Sequence, residues 1–132
     1  MTRMMRGSVL LALGGLLAAT PVQAAQPGGC ETAALYYYCR AVTVALGQAA
    51  KATDPDLSAA LLRRAAGYGE DARGIGFERL VEKYNRVGVQ HAAKAADPAT
   101  MQRLLGTCVT PDPNLVATFK LSARRDCPVV LP

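Results

Sequence analysis

The sequence predicts an all-α fold: a small four-helix bundle made of two α-hairpins, with a short extra C-terminal helix and two disulfide staples. Three observations carry that expectation. Apolar residues recur at alternating spacings of three and four, the amphipathic helical period, and no segment sustains the two-residue alternation of a half-buried strand. Asp54-Pro55, Asp97-Pro98 and Asp112-Pro113 each precede a segment with helical spacing. Proline at the first helical position wastes no donor, and an aspartate just before it caps the free N–H groups. Finally, the four cysteines are an even set in a chain whose N-terminus reads as an export signal.

That N-terminus is MTRMMRGSVLLALGGLLAATPVQA. Arg3 and Arg6 form a positive n-region, Val9 to Ala19 an apolar core, and Val22-Gln23-Ala24 a small-residue cleavage signal. The apolar run is about half the ~20 residues of a membrane-spanning helix. Residues 1–24 are therefore expected to be a cleaved signal peptide, and residues 25–132 a single helical domain, periplasmic or secreted. Cys30 follows Pro27-Gly28-Gly29, without the aliphatic residue that a lipoprotein signal places three positions before its cysteine. With both leader arginines removed, the net charge of +5 falls to +3, too small and dispersed to argue for a nucleic-acid partner. No second apolar run reaches spanning length, so no transmembrane segment is expected after the leader.

The first helix is expected from Glu31 to Lys51, with Leu35, Cys39, Val42, Leu46 and Ala49 on its inner stripe. The second runs from Pro55 to Tyr68, with Leu57, Leu61, Ala65 and Tyr68 inward. GYGEDARGIG, residues 67–76, holds four glycines and reads as an interhelical loop. It follows a helix rather than a strand and matches no nucleotide-binding fingerprint. The third helix is expected from Gly76 to Ala96, with Phe77, Leu80, Tyr84, Val87 and His91 on one stripe. The fourth spans Pro98 to Thr107, burying Met101, Leu104, Leu105 and Cys108. The short fifth helix, Pro113 to Arg124, carries Leu115, Val116, Phe119 and Leu121.

Part of this order repeats. KATDPDLSAALL, residues 51–62, returns 43 residues later as KAADPATMQRLL, residues 94–105. A solenoid needs about three repeats to bury its faces, so two copies point instead to two hairpins that close on each other. The echo reads as the punctuation of helix starts, not as an active site.

Two disulfides allow three connectivities. Cys39 and Cys108 lie on the inward stripes of the first and fourth helices, which run antiparallel in an up-down bundle, so Cys39–Cys108 is the natural pair. Cys30 and Cys127 then tie the tails. Cys30–Cys39 is out of reach inside one helix, since nine residues at ~1.5 Å each separate them by ~13 Å. The cysteine spacing contains no CxxC or paired Cys-His clip for zinc.

Reactive groups are scarce. The single histidine, His91, is expected to be partly buried with one nitrogen hydrogen-bonded; as a metal or haem ligand it is a weak candidate, with Met101 the conceivable second axial group. No cofactor is expected. A carboxylate metal site would want a Glu three residues before the histidine, where Gly88 stands. Ser58 and Ser122 lack a nucleophile-elbow context, and Glu78 and Glu82 share a helix face with Arg79, Lys83 and Arg86 as a solvated strip. Tyr36-Tyr37-Tyr38 fan over about 200° of a helix, so at least one ring is expected at the surface. These tyrosines, with Glu70, Asp71 and Arg73 of the glycine-rich segment, form the expected protein-binding face. The functional expectation is an exported, non-enzymatic protein with a binding, structural or accessory role in the cell envelope and a protein partner there. The alternative is a small-ligand, haem or metal-binding bundle centred on His91.

Overall fold

Helix α1 (Gly29–Ala50) is the axis on which every other helix is arranged. The computed structural model describes residues 28–127; the expected leader lies outside them. After α1 come α2 (Pro55–Ile75), a 3-10 turn (Glu78–Leu80) leading into α3 (Val81–Ala92), α4 (Pro98–Cys108), α5 (Pro113–Ala123) and a closing 3-10 turn (Arg124–Asp126). The described residues are all-α and contain no strand.

On α1 the burial is not a stripe. Tyr37, Tyr38 and Cys39 are buried in succession, as are Ala41, Val42 and Thr43. Successive residues of a helix point about 100° apart, so this pattern requires neighbours on several sides. A helix apolar nearly all round is a buried one. Helix α2 forms a close antiparallel hairpin with α1, α3 packs on another side, and α4 and α5 complete the enclosure.

The repeated Asp-Pro steps do what their chemistry implies. Asp54 accepts from the Leu57 amide at 3.1 Å, Asp97 from the Thr100 amide at 3.0 Å and Asp112 from the Asn114 amide at 2.8 Å. Two turns beyond the first two caps, Leu61 and Leu104 enter the core at equivalent places in the echo. The repeat is thus a capped turn used twice.

The glycine-rich segment is a correction. Residues 67–75 are helical and α2 ends only at Gly76, whose φ is 100°. A buried stripe of Ser58, Leu61, Ala65, Gly69 and Ala72 continues through the glycines at spacings of 3, 4, 4 and 3. Each interior glycine costs about 1 kcal/mol against alanine, but at Gly69 the missing side chain makes room for Arg40, whose Cδ would lie 3.3 Å from a Cβ there. Packing against α1 outweighs the local preference. Gly76 and Phe77 (φ 61°) then reverse the chain in two residues, and the following helix begins later than its apolar pattern suggested. It also ends earlier, at Ala92, and residues 93–96 form turns.

Some stripe assignments also move. Leu57, Leu105 and Leu121 are exposed, as is Ala49, whereas Ser58, Thr43 and Thr107 are buried. Ser58 replaces Leu57 because the hairpin contact selects the adjacent helical position. Thr43 is accommodated by its own helix, its hydroxyl donating to the Cys39 carbonyl at 2.7 Å.

Both disulfides take the expected connectivity, with Cα separations of 5.2 Å for Cys39–Cys108 and 5.8 Å for Cys30–Cys127. The first joins α1 to α4 in the core, and the second ties the first turn of α1 to the end of the closing 3-10 turn. That turn is also clasped to α3 through Asp126. Its carboxylate accepts from Lys83 Nζ at 2.7 Å and from the Tyr84 hydroxyl at 2.6 Å, and Arg79 donates to its backbone carbonyl at 3.0 Å.

The Lys83 and Tyr84 hydrogen bonds hold the Asp126 carboxyl below the usual carboxylate range. A depressed folded-state pKa contributes stability that is present above the unfolded value, about 3.9, and lost as pH falls through the folded one. The melting temperature is therefore expected to fall on acidification below about pH 4, and Asp126→Asn to lose part of that slope. Thermal melts of both proteins between neutral and strongly acidic pH check this; an unchanged slope in the variant refutes it.

Candidate basic pocket at His91

Polar groups from three helices also meet around a cavity at the far end of α3. His91 occupies the last turn of α3, Lys94 the turn that follows, and Thr100 and Arg103 the start and middle of α4. With Tyr38 of α1 and Leu104 beneath, they line a cavity of about 150 Å³.

Tyr38 sets the floor. Its ring is buried between His91, edge-on at 5.4 Å between centroids, and Phe119 of α5 at 4.7 Å. Its hydroxyl lies 2.7 Å from His91 Nδ1. Burial pushes the Tyr38 phenol up to about 12, despite the opposing pull of Arg103, so the hydroxyl keeps its proton. The phenol then donates, neutral His91 accepts at Nδ1, and its own proton resides on Nε2, across the ring. Burial, then the charges of Lys94 and Arg103, lower the His91 pKa from its ordinary value. At neutral pH the imidazole is uncharged and offers one N–H.

The acid that feels the Arg103 charge is Asp97. It is occupied by its own helix, accepting from the Thr100 amide at 3.0 Å and the Thr100 hydroxyl at 2.8 Å. These bonds, more than Arg103, lower its carboxyl pKa. Among the described residues neither Lys94 nor Arg103 has an ion pair, whereas Lys83 pairs with Asp126 and Arg124 with Glu31.

No protein family, curated protein or solved structure matches this chain.

The expected tyrosine face divides. Tyr37 and Tyr38 are core residues, and the Tyr37 hydroxyl donates to the Gly76 carbonyl at 3.0 Å, bracing the end of α2. Tyr36 is partly exposed and packs on Tyr68 at 5.6 Å between centroids, while the Tyr68 hydroxyl donates to the Cys108 carbonyl. Glu70, Asp71 and Arg73 are exposed on the last turns of α2, and Asp71 borders an open surface depression with Tyr68, Arg63 and Arg64. Of the trio, only Tyr36 reaches the surface near those charges.

As a metal or haem ligand His91 is poorly placed. Nδ1 is engaged by Tyr38, two cations line the same cavity, and Met101 is not part of its wall. The one three-residue cluster with metal-ligating atoms among the described residues, Cys30, Glu31 and Cys127, has both sulfurs in a disulfide. Glu78 and Glu82 are exposed, so neither carboxyl has the desolvated setting of a general acid. Ser58 is buried in the α1–α2 contact.

Sequence reasoning found His91 and Tyr38 but missed Lys94, Thr100 and Arg103. The signal for Lys94 was present, since it lies three residues beyond His91, on the same side of a helical turn. Arg103 had no such signal. Only the approach of α4 to the end of α3 brings it in.

Proposed function

We propose that this chain is an exported, non-enzymatic binding protein of a bacterial cell envelope, delivered by a signal peptide cleaved after Ala24 and acting in the periplasm through residues 25–132. The ligand seat in this reading is the basic pocket at His91. The observation that carries it is the disulfide pair, one of which is fully buried between α1 and α4. Disulfides form and persist in oxidising compartments and are rare in the cytosol. No described helix is long and apolar enough to cross a membrane, in keeping with a folded domain that leaves its signal behind.

Cell fractionation followed by intact-mass measurement without reductant tests the reading. The expected product lies outside the cytoplasm, begins at Ala25 and is four hydrogen atoms lighter than the reduced chain. A cytoplasmic product that retains Arg3 and Arg6 and has alkylatable thiols overturns it.

A further inference from the structure

The pocket at His91 has a definite chemical preference. His91, with its Nε2–H, and Lys94, with its ammonium, come from the end of α3 and the turn after it, and Arg103 brings a planar guanidinium fork from α4. Leu104 and the Tyr38 ring supply the apolar part of the wall, and the other four lining side chains each carry a polar group. Two cations without ion pairs disfavour a metal ion. Donors converging from different directions suit a tetrahedral oxyanion better than the flat edge of a carboxylate, and the arginine fork can take two of its oxygens. Asp97 opposes an anion here, but one of its oxygens, Oδ2, is turned to its own helix and accepts both hydrogen bonds from Thr100.

We propose that this cavity binds a compact tetrahedral oxyanion, a phosphate or phosphoryl headgroup, held by Lys94, Arg103 and the Nε2–H of His91. The inference rests on the binding role stated above only in taking this pocket as the ligand seat. Tyr38 is a positioning residue: its hydroxyl holds Nδ1 and thereby keeps the His91 proton on the side away from itself. The volume admits an isolated oxyanion or a small headgroup and is too small for haem.

His91 is the only histidine in the chain, so its imidazole gives one assignable set of NMR resonances. Titration with inorganic phosphate, sulfate and acetate is expected to move those resonances saturably for the two tetrahedral ions and only weakly for acetate. Sulfate stays dianionic across the His91 titration, so its presence is expected to raise the midpoint by stabilising imidazolium. Arg103→Gln is expected to weaken binding by at least about tenfold, the scale of a single charge-assisted hydrogen bond, and Lys94→Gln by less. Both side chains are exposed, so the fold and disulfides should survive, as circular dichroism and thiol titration will verify.

The source of the group is separated by a second arm, sedimentation with phosphatidylglycerol or phosphatidylcholine vesicles. Saturable binding of free phosphate that Arg103→Gln weakens supports the site with a soluble ligand. Sedimentation with phosphatidylglycerol alone, lost in the same variant, supports it with a lipid headgroup. No response in either arm overturns the proposal, as does a response that both variants retain. Failure in an exported protein removes the oxyanion but leaves the binding-protein reading. Binding by a protein found reduced in the cytoplasm does the reverse.

Discussion

Replacing Gly88 by alanine is expected to destabilise the fold by about 2–3 kcal/mol, the upper part of the range for overpacking a close contact. A Cβ at this position would lie 2.7 Å from the Tyr38 carbonyl oxygen and 2.8 Å from the Ala41 Cβ. Neither atom is the free end of a flexible chain. The carbonyl belongs to the central helix and the methyl is attached directly to it. Helix α3 would have to move away from α1, withdrawing His91 from Tyr38 one turn further along. Helix propensity acts in the opposite direction, since alanine is favoured over glycine by about 1 kcal/mol in a helix interior.

Gly67 supplies the control. It lies inside α2, and a Cβ there would meet nothing within 4 Å. Gly67→Ala is therefore expected to stabilise by about 0.5–1 kcal/mol through propensity alone. Denaturant unfolding of the two variants beside the parent is the check. Equal effects of the same sign would show that α1 and α3 are not in backbone contact at Gly88.

Removing the Cys39–Cys108 bridge by double alanine substitution is expected to cost more than removing Cys30–Cys127. The two loops are nested, with separations of 69 and 97 residues. Once either bridge is closed, the other adds about 3–4 kcal/mol in the chain-entropy model, so unfolded-chain entropy does not rank them. Packing does. Cys39 and Cys108 are both wholly buried, whereas Cys127 is only partly so. Truncating the buried pair to alanine also leaves space in the core cluster to which both cysteines belong. Against a domain stability of about 5–15 kcal/mol, the loss should leave the Cys39→Ala/Cys108→Ala protein marginal or unfolded at 37 °C. The Cys30→Ala/Cys127→Ala protein should stay folded with a lowered midpoint. Urea titrations of both variants rank the bridges, and equal midpoints would show that the buried sulfurs add nothing beyond chain connection.

The sequence by itself determined the parts of this protein that depend on local chemistry. The Asp-Pro caps mark the starts of α2, α4 and α5, because proline geometry and an aspartate acceptor need no distant partner. The disulfide pairing was also legible, since Cys39 and Cys108 fall on inward stripes and helical rise forbids Cys30–Cys39. Where local preference and packing conflict, tertiary structure decided. The glycines of residues 67–75 became helix because Gly69 and Ala72 pack against α1, although the buried stripe was already visible through Leu61 and Ala65. Tyr37 and Tyr38 became core residues because α1 is enclosed on several sides, a fact absent from the pattern of any single helix. Gly88 looked like a missing ligand in the sequence; in the structure it is the place where two backbones meet. The basic pocket depends most on tertiary structure. His91 and Arg103 are twelve residues apart on different elements, and no period relates them. Only the packing of α3 and α4 against the central helix places their donors around one cavity.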